Sequence, residues 1–417
     1  MQTGRHRHPD AGSPLELYYV QPTAMDTELS HAFHVFLSMT AIPPRTPRET
    51  ARIYLDANAS EPLRPEAEAA WLDASRLAGN PASVHGAGRA ARDALETARE
   101  TLALLFGARP AGVVFVSGGT EANVLALRGL GAGRHGLMGA TEHDAVRDAM
   151  PDAQTLMVAP DGEVDLEELD SALSRHGKSV VALMLANNET GVLHPIAEAA
   201  KLCRARGAWL HVDAVQAAGR LAVNLADTGA HSLALASHKL GGPHGAGALL
   251  LDPEAEAALS PIWRGGGQER GRRGGTPPVA AIAGFAAAAR AAIGARDTEQ
   301  AKLGALRDRI EAAAVAVGAR VAGAGAPRLA NTSCLVLPGH AALTQVMALD
   351  LAGYAVSAGA ACSSGKVAPS AVLRAMGYDA AAAEAIRVSL PWNVSPPDAD
   401  GFIAAYQALA ASQAHAS

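Results

Sequence analysis

Residues 209–216 read Trp-Leu-His-Val-Asp-Ala-Val-Gln, a mostly apolar run that ends on a carboxylate. Three further apolar runs lie at 113–116, 180–185 and 248–251. Strands that are buried on both faces have this near-continuous apolar pattern. Segments with helical spacing lie between the runs, at 88–106, 166–174 and 196–206. Strand alternating with helix predicts an α/β fold, with a mainly parallel sheet that is covered by helices on both faces.

Composition limits the classes of protein to which the chain can belong. Of its 417 residues, 49% are apolar and 18% are charged, which is a globular composition. The net charge of −6, without basic runs, argues against a nucleic-acid partner. No apolar run has the roughly 18–20 residues that span a bilayer, so we expect no membrane protein. Cys203, Cys334 and Cys362 are too scattered for a disulfide framework or a closed zinc site, which favours a reducing cytoplasm.

The chain is too long for one compact core, and its pattern changes along the length. Residues 1–50 mix His, Arg, Pro and Gly without a period. We expect there an irregular or disordered extension, or a natural start near Met39, rather than a secretion signal. Residues 51–296 have the strand–helix alternation of a large domain, and residues 297–417 are expected to form a smaller α+β domain. One or two long alanine-rich helices are expected at 279–317, followed by strands at 333–337 and 385–389 and by helices near 341–351 and 397–411.

Polar residues directly after the apolar runs are the candidates for chemistry, because ligands bind beyond the carboxyl ends of such strands. Lys239, in Ser237-His238-Lys239, is held at a strand end before a glycine turn and suits imine chemistry with a lowered pKa. Taken alone, a lysine there is more often an exposed loop residue. Asp213 can pair with the ring nitrogen of a pyridinium cofactor or, equally, cap a helix.

Two further turns add an anion site and amides. The turn Ser117-Gly118-Gly119-Thr120-Glu121 lets backbone N–H groups and a hydroxyl approach a phosphate at a helix N-terminus. The turn Asn187-Asn188-Glu189-Thr190-Gly191 offers amides to a ring substituent or a substrate carboxylate. Both kinds of turn are common as purely structural features. A phosphate cradle, a ring carboxylate, an amide and an imine-forming lysine together are nevertheless the set that pyridoxal 5′-phosphate (PLP) requires.

Eight stretches of the chain form one joint pattern. They are Tyr54-Leu55-Asp56, Gly79-Asn80-Pro81-Ala82-Ser83-Val84-His85, Ser117 to Glu121, Thr141-Glu142-His143, Asn187 to Gly191, His211-Val212-Asp213-Ala214-Val215-Gln216, Ser237-His238-Lys239 and Gly265-Gly266-Gly267-Gln268-Glu269-Arg270. Their joint occurrence resembles the cysteine desulfurases, class V aminotransferase-like enzymes of PLP fold type I, over roughly residues 52–412. The resemblance implies PLP as the cofactor and a large domain with a seven-stranded, mainly parallel sheet.

The resemblance also implies which residues surround the ring of the coenzyme. Lys239 would bond to PLP as an imine, and Asp213 would pair with the ring nitrogen. His143 would stack on the ring. Asn188 and Gln216 would contact the ring oxygen and the substrate side.

At the phosphate, the resemblance implies a second set of contacts. Gly119, Thr120 and His238 would hold the phosphate group, and Ser237 would add a hydroxyl. Thr276 would be supplied by the other subunit of a homodimer, although the arginine-rich turn around it also fits a solvated basic loop.

The expected substrate-binding residues are Arg387, in Ile386-Arg387-Val388-Ser389, and Asn188. An arginine fork suits a carboxylate bidentately, and a salt bridge at a strand edge is the alternative. The chain departs from the family pattern at three places. Ala236 stands where a serine is usual, Val124 where many members have a polar residue, and Pro391-Trp392 where a Gly-Arg-like pair is usual.

Cys362 separates the possible reactions. It lies within 357–365, a small-residue segment without an apolar period, which predicts a loop. A thiolate on a loop can carry sulfur away from a buried coenzyme, whereas Cys203 and Cys334 are expected to be ordinary buried residues. The segment resembles the desulfurase subgroup with a longer catalytic loop, which typically serves iron–sulfur scaffolds.

The resemblance therefore implies conversion of L-cysteine to L-alanine, with the sulfur carried as a persulfide on Cys362 and with Lys239 and His143 moving protons. We expect a cytoplasmic enzyme. The resemblance implies an iron–sulfur scaffold protein as the acceptor, and tRNA thiolation or another sulfur pathway is equally compatible with these residues. No resident metal is expected, and the one metal contact considered is a transient one between Cys362 and a scaffold-bound cluster. A selenocysteine lyase, another class V lyase or transaminase, and a non-enzymatic partner-binding subunit are the alternatives. Retention of both Lys239 and Cys362 argues against the last.

Overall fold

The apolar runs of the sequence form strands of a seven-stranded sheet. The computed structural model describes residues 52–359 and 369–413, so the expected N-terminal extension and Cys362 lie outside the described residues. The strands are β1 (Ile53–Tyr54), β2 (Val113–Val116), β3 (His135–Gly139), β4 (Gln154–Leu156), β5 (Ser179–Met184), β6 (Trp209–Asp213), β7 (Ser232–Ala236), β8 (Gly247–Leu251), β9 (Arg320–Val321), β10 (Thr332–Val336), β11 (Tyr354–Ala355) and β12 (Ala385–Ser389).

Helices alternate with the strands, as the helical spacing predicts. They are α1 (Pro65–Ser75), α2 (Gly86–Leu105), α3 (Gly119–Leu130), α4 (Asp144–Arg147), α5 (Leu166–His176), α6 (Ile196–Ala205), α7 (Leu225–Thr228), α8 (Pro253–Ala258), α9 (Val279–Ala316), α10 (Ala342–Leu351), α11 (Ala371–Ala375) and α12 (Pro396–Gln413). Several begin at a polar cap. Asp165, for example, accepts hydrogen bonds from the first amides of α5.

The large sheet has the strand order β2-β8-β7-β6-β5-β3-β4. Neighbouring strands from β7 to β4 are parallel, whereas β8 is antiparallel to both β7 and β2. Strands β2, β3, β5, β6 and β7 therefore share one direction, and their carboxyl ends meet at one edge of the sheet. Every residue of β2, β5, β7 and β8 is buried. The predicted α/β fold with a mainly parallel sheet is confirmed.

A second group of elements packs around a smaller core. Strands β9, β10 and β12 form an antiparallel sheet in the order β12-β10-β9, and β1 pairs with β11 in parallel. Side chains from α9, α10 and α12 close this core, among them Leu306, Leu349 and Phe402. Cys203 and Cys334 are buried, as expected.

Helix α9 belongs to both cores. Ile282 and Phe285, near its start, pack in the core of the large sheet, while Leu303 and Ile310 pack in the second core. The predicted domain boundary at 296/297 therefore falls within a continuous helix of 38 residues, and the division into domains stays a prediction.

By length and composition alone, α9 is long and apolar enough to cross a membrane. A count of uninterrupted apolar runs in the sequence does not detect it. Its buried residues pack against both cores, and we interpret it as a core helix.

Candidate functional site

A cavity of about 330 Å³ lies where the carboxyl ends of the parallel strands meet. That volume lies at the lower end of the range typical of small-molecule sites. Of the twelve predicted site residues, nine line it: Gly119, Thr120, His143, Asn188, Asp213, Gln216, His238, Lys239 and Arg387. Ser237 is buried outside the lining, and Thr276 is exposed elsewhere on the surface. Cys362 is outside the described residues.

Lys239 sits in a 3₁₀ turn, Ser237–Lys239, directly after β7. Burial, followed by the positive charges of Arg387 and Arg220, lowers the pKa of Lys239 from its ordinary value to about 7, against the opposing effect of Asp56 and Asp213. Near neutral pH, a substantial fraction of the amine is therefore unprotonated and nucleophilic. This is the state that imine formation with a carbonyl compound requires.

Asp213, the last residue of β6, is held by a chain of buried polar groups. Its Oδ2 accepts from Nδ2 of Asn123 at 2.7 Å, and its Oδ1 accepts from the amide of Val215 at 2.9 Å. Oδ1 of Asn123 lies 2.8 Å from Nε2 of His211, whose Nδ1 is 2.8 Å from the Ser232 hydroxyl. Burial lowers the pKa of His211 to about 3. The ring is therefore neutral, and the amide orientation assigns its proton to Nε2. This series of hydrogen-bonded groups orients the Asp213 carboxylate at the cavity wall.

The anion-binding end of the cavity is the start of α3. The N-cap residue Gly118 makes no side-chain cap, so the first amides of the helix are left for a ligand. A Cβ on Gly119 would lie 2.6 Å from Cγ2 of Val215, so this position needs glycine. Nearby, burial and then Lys239 and His244 lower the pKa of His238 to about 4, which keeps the ring neutral and able to donate one N–H.

His143 is exposed at the cavity and caps α4, where its Nδ1 accepts from the amide of Ala145 at 3.0 Å. With Nδ1 used as an acceptor, Nε2 is the nitrogen that carries the proton of the neutral ring. The preceding residue, Glu142, is buried. Burial, and secondarily Asp213, raise the pKa of Glu142 well above its ordinary value, although Oε1 accepts from the amide of Met184.

The two asparagines after β5 have different environments. Asn187 is buried, and its Oδ1 accepts from the amides of Glu189 and Thr190, which shapes the turn. Asn188 lines the cavity. Gln216, the third predicted amide, donates from Nε2 to the carbonyl of Asn58 at 3.0 Å. Its Oε1 accepts a hydrogen bond from Nη1 of the buried Arg220, so both ends of the Gln216 amide are fixed by neighbouring groups.

Arg387 lines the cavity but is already paired. Its Nη2 is 2.6 Å from Oδ1 of Asp56, and its Nη1 donates to the carbonyl of Asn188 at 3.1 Å. The salt bridge considered as an alternative from the sequence is therefore present. Nε of Arg387 is buried without a partner among the described residues. A substrate carboxylate would share this guanidinium with Asp56.

Sequence reasoning missed several residues of the cavity wall, namely Asn58, Asn123, Glu142 and Arg147. Glu142 stands inside the quoted Thr141-Glu142-His143 motif, and Asn123 follows the Gly-Gly-Thr turn by one helical turn. The spacing of three residues on α3 was therefore an available signal. Among residues 52–359 and 369–413, no cluster of His, Cys, Asp or Glu could hold a metal ion.

The cavity fits PLP by its own chemistry. The start of α3 has no side-chain cap, and Gly119 and Thr120 line the cavity there, so the first amides of the helix and a hydroxyl could receive a phosphate. An oriented carboxylate and a lysine of lowered pKa line the same wall. The buried Oγ of Ser237 has no hydrogen-bond partner among the described residues, but it lies outside the cavity lining, so its expected phosphate contact stays a prediction.

Comparisons with known proteins agree on one relationship. The family model of class-V aminotransferases matches residues 53–402. An "IscS-like cysteine desulfurase" of Mycobacterium tuberculosis is 38% identical over 83% of this chain and 93% of its own length. A "Cysteine desulfurase" of Cereibacter sphaeroides is 41% identical over 81% of this chain and 90% of its own length. Among solved structures, a NifS-like protein from Rickettsia africae superposes with a TM-score of 0.80 at 30% identity, over 86% of this chain and 99% of that one.

Proposed function

Because the chain belongs to the class-V aminotransferase family and, within it, to the cysteine desulfurases, which are PLP-dependent enzymes, we propose that it converts L-cysteine to L-alanine and passes the sulfur on through Cys362. The observation that carries the proposal is the meeting of Lys239, with its pKa lowered to about 7, and the oriented Asp213 in one cavity.

Several residues would hold the coenzyme. Lys239 would bond to it covalently, Asp213 would pair with its ring nitrogen, and His143 would cover the ring. Bound PLP acts as an electron sink that stabilises a carbanion at the substrate Cα. At the phosphate, Gly119 and Thr120 would offer the amides of α3 and a hydroxyl, where the positive end of the helix dipole favours an anion.

Two side chains would move protons. When it is not bonded to the coenzyme, Lys239 would be a free amine, whose pKa of about 7 suits both uptake and release of a proton at Nζ. His143 would move protons as the imidazolium: Nδ1 would take up a proton once it is released from the α4 amide, and Nε2 would then give one up. Arg387 would bind the substrate carboxylate from β12, and Asn188 would contact the substrate beside it.

The sulfur step balances without a further reagent. The Cys362 thiolate would attack the sulfur of the substrate, so that an S–S bond forms and the Cβ–S bond breaks. The electron pair of the broken bond stays on Cβ, which takes up a proton and becomes the methyl group of alanine. Cysteine and a thiol thereby yield alanine and a persulfide.

The remaining parts of the proposal concern partners and place. We propose that the acceptor is an iron–sulfur scaffold protein, that the enzyme acts in the cytoplasm, and that it is a homodimer in which Thr276 reaches the phosphate of the other subunit. The names of two similar proteins support an iron–sulfur scaffold as the acceptor: the M. tuberculosis relative is called IscS-like, and the R. africae protein is called NifS-like. Exposure of Thr276, outside the cavity of its own chain, supports the exchange between subunits.

The Cys362→Ala variant tests the proposal. We expect it to bind PLP with the absorption of the parent enzyme and to lose persulfide formation by at least about a hundredfold, because both cysteines that the structure describes, Cys203 and Cys334, are buried. Cys203→Ala is the matched control, since the thiol of Cys203 is buried and its pKa is raised to about 12. Alanine and protein-bound persulfide are measured after incubation with L-cysteine. Undiminished sulfur transfer by Cys362→Ala would refute the mechanism.

A further inference from the structure

Two backbone carbonyl oxygens accept hydrogen bonds from the amine of Lys239. Its Nζ donates to the carbonyl oxygen of Asn58 and, at 2.9 Å, to that of Ala59. Neither residue belongs to the turn that carries the lysine. Carbonyl oxygens stabilise an ammonium group better than a neutral amine, because a charged donor makes the stronger hydrogen bond. We call these two oxygens the carbonyl seat.

The carbonyl seat is fixed by side chains from distant parts of the chain. The amide of Asn58 donates to Oγ of Ser389 at 3.0 Å, and its Nδ2 donates to Oγ1 of Thr332 at 2.9 Å. Gln216 donates to the same carbonyl oxygen that receives Lys239. The seat is therefore held in place from β10, β12 and the turn after β6.

A buried ion pair stands behind the seat. Arg220 donates to Oε1 of Gln216 at 2.7 Å and to Oε2 of Glu61 at 2.9 Å, and the two charged side chains are 8% and 6% exposed. The other oxygen of Glu61 accepts from the backbone amide of Trp392 at 2.7 Å. Removing one partner of such a pair leaves an uncompensated charge in a site of low polarity.

Glu61 also contacts the turn that carries the lysine. Its amide donates to the carbonyl of His238 at 2.8 Å, so one residue is bonded to the lysine turn, to Arg220 and to Trp392. A small cavity of about 20 Å³, lined by Glu61, Arg220, Lys239 and Trp392 among others, lies behind the lysine. The cavity is far too small for a substrate, and we interpret its wall as residues that position the lysine.

The lysine needs such a place during turnover. When the substrate amine replaces it, a free amine is left in a buried cavity that faces Arg387 and Arg220, with Asp56 and Asp213 as the opposing charges. We propose that Glu61, acting through Arg220 and Gln216, positions the carbonyl seat to receive the Lys239 ammonium while the lysine is not bonded to the coenzyme. The inference rests on the proposed function, and Glu61 acts in it as a positioning residue.

Binding of L-alanine to the full-length holoenzyme tests the inference without sulfur transfer. Alanine displaces the lysine but carries no sulfur, and its affinity can be read from the coenzyme absorption between about pH 6 and 9. In Glu61→Gln, the uncompensated Arg220 charge destabilises the displaced ammonium. The pKa of the displaced lysine should then fall from about 7 by about one unit or more. Alanine affinity should therefore fall about fivefold or more at pH 6 and about twofold at pH 7, with little change above pH 8.

Asn58→Ala repeats the test with no change of charge, and therefore also covers the case in which Glu61→Gln fails to fold. It removes the side-chain hydrogen bonds to Thr332, Asn188 and Asn331 that hold the seat, and we expect alanine affinity to fall by about threefold or more. Asp73→Asn is the control. It alters an exposed ion pair on α1 and should bind alanine as the parent does.

Parental alanine affinity in both Glu61→Gln and Asn58→Ala, at every pH, would overturn the carbonyl seat. Alanine binding does not use Cys362. A failure of the proposed sulfur transfer, which the Cys362→Ala variant reveals, is therefore distinct from a failure of this inference.

Discussion

The polar residues of the cavity act in pairs whose members are far apart in the sequence. Lys239 and Asp213 could be predicted because each stands at the carboxyl end of an apolar strand. Their partners could not, since Asn123 contacts Asp213 across 90 residues and Asn58 contacts Asn188 across 130. Such pairings depend on the register of the sheet, which local patterns do not contain.

The Asn123 amide should be needed for coenzyme binding. In Asn123→Ala, the Asp213 carboxylate loses a hydrogen bond of 2.7 Å, and a bond to a charged group is worth about 1.5–3 kcal/mol. We expect the affinity for PLP to fall about tenfold or more, measured by titrating the coenzyme-free protein and following absorption. Asn224→Ala is the matched control, because Asn224 only caps α7. An unchanged PLP affinity in Asn123→Ala would show that the amide does not orient Asp213.

Arg387 shows a second limit of residue-level prediction. The residue was identified from its motif, and it does line the cavity. A salt bridge at a strand edge is the alternative that the sequence offers, but its partner, Asp56, could not be predicted, because nothing in the sequence relates two residues 331 positions apart. The carboxylate site, if Arg387 forms it, is therefore partly neutralised before the substrate arrives.

At the scale of elements, the sequence predicted the long periodic segments well. The expected strand at 385–389 has the observed bounds. The alanine-rich segment at 279–317, expected to form one or two helices, is the single helix α9 and ends one residue earlier. Strands β1, β9 and β11 have two residues each, too few to produce a periodic pattern. The direction of β8 was also beyond prediction, since an apolar run reads the same in a parallel or an antiparallel neighbour.

Two glycines of α9 should respond in opposite ways to alanine. A Cβ on Gly284 would lie 2.7 Å from Cγ of Pro243, whereas a Cβ on Gly294 would meet nothing within 4 Å. We expect Gly284→Ala to lower the free energy of unfolding by about 1–3 kcal/mol through overpacking. Gly294→Ala should raise it by about 0.5–1 kcal/mol through helix propensity. Denaturant unfolding measures both, and equal effects would contradict close packing of α9 at Gly284.

At the scale of the whole molecule, the architecture followed from the alternation of strand and helix together with the family resemblance. The separation into domains at 296/297 remains a prediction, because α9 continues through that position. Thr276 illustrates what a single chain lacks. Its hydroxyl is exposed and away from the cavity, although its motif predicts contact with a phosphate.

Mixed dimers test the proposed exchange of Thr276. In a dimer of one Lys239→Ala subunit and one Thr276→Ala subunit, exchange gives one site with both defects and one site with neither. We expect co-expression to restore about a quarter of the parental activity at limiting PLP, since half of randomly formed dimers are mixed. Each variant expressed alone provides the baseline. If the co-expressed sample is no more active than its content of Thr276→Ala subunits explains, Thr276 acts within its own chain.

Helix α9 has a thermodynamic consequence. Because one uninterrupted helix contributes side chains to both hydrophobic cores, fraying of either core removes support from the turns that anchor the other. Melting of the second core should therefore be coupled to melting of the core of the large sheet, and calorimetry should record a single cooperative transition. A ligand that binds beside one core should then raise the melting temperature of both.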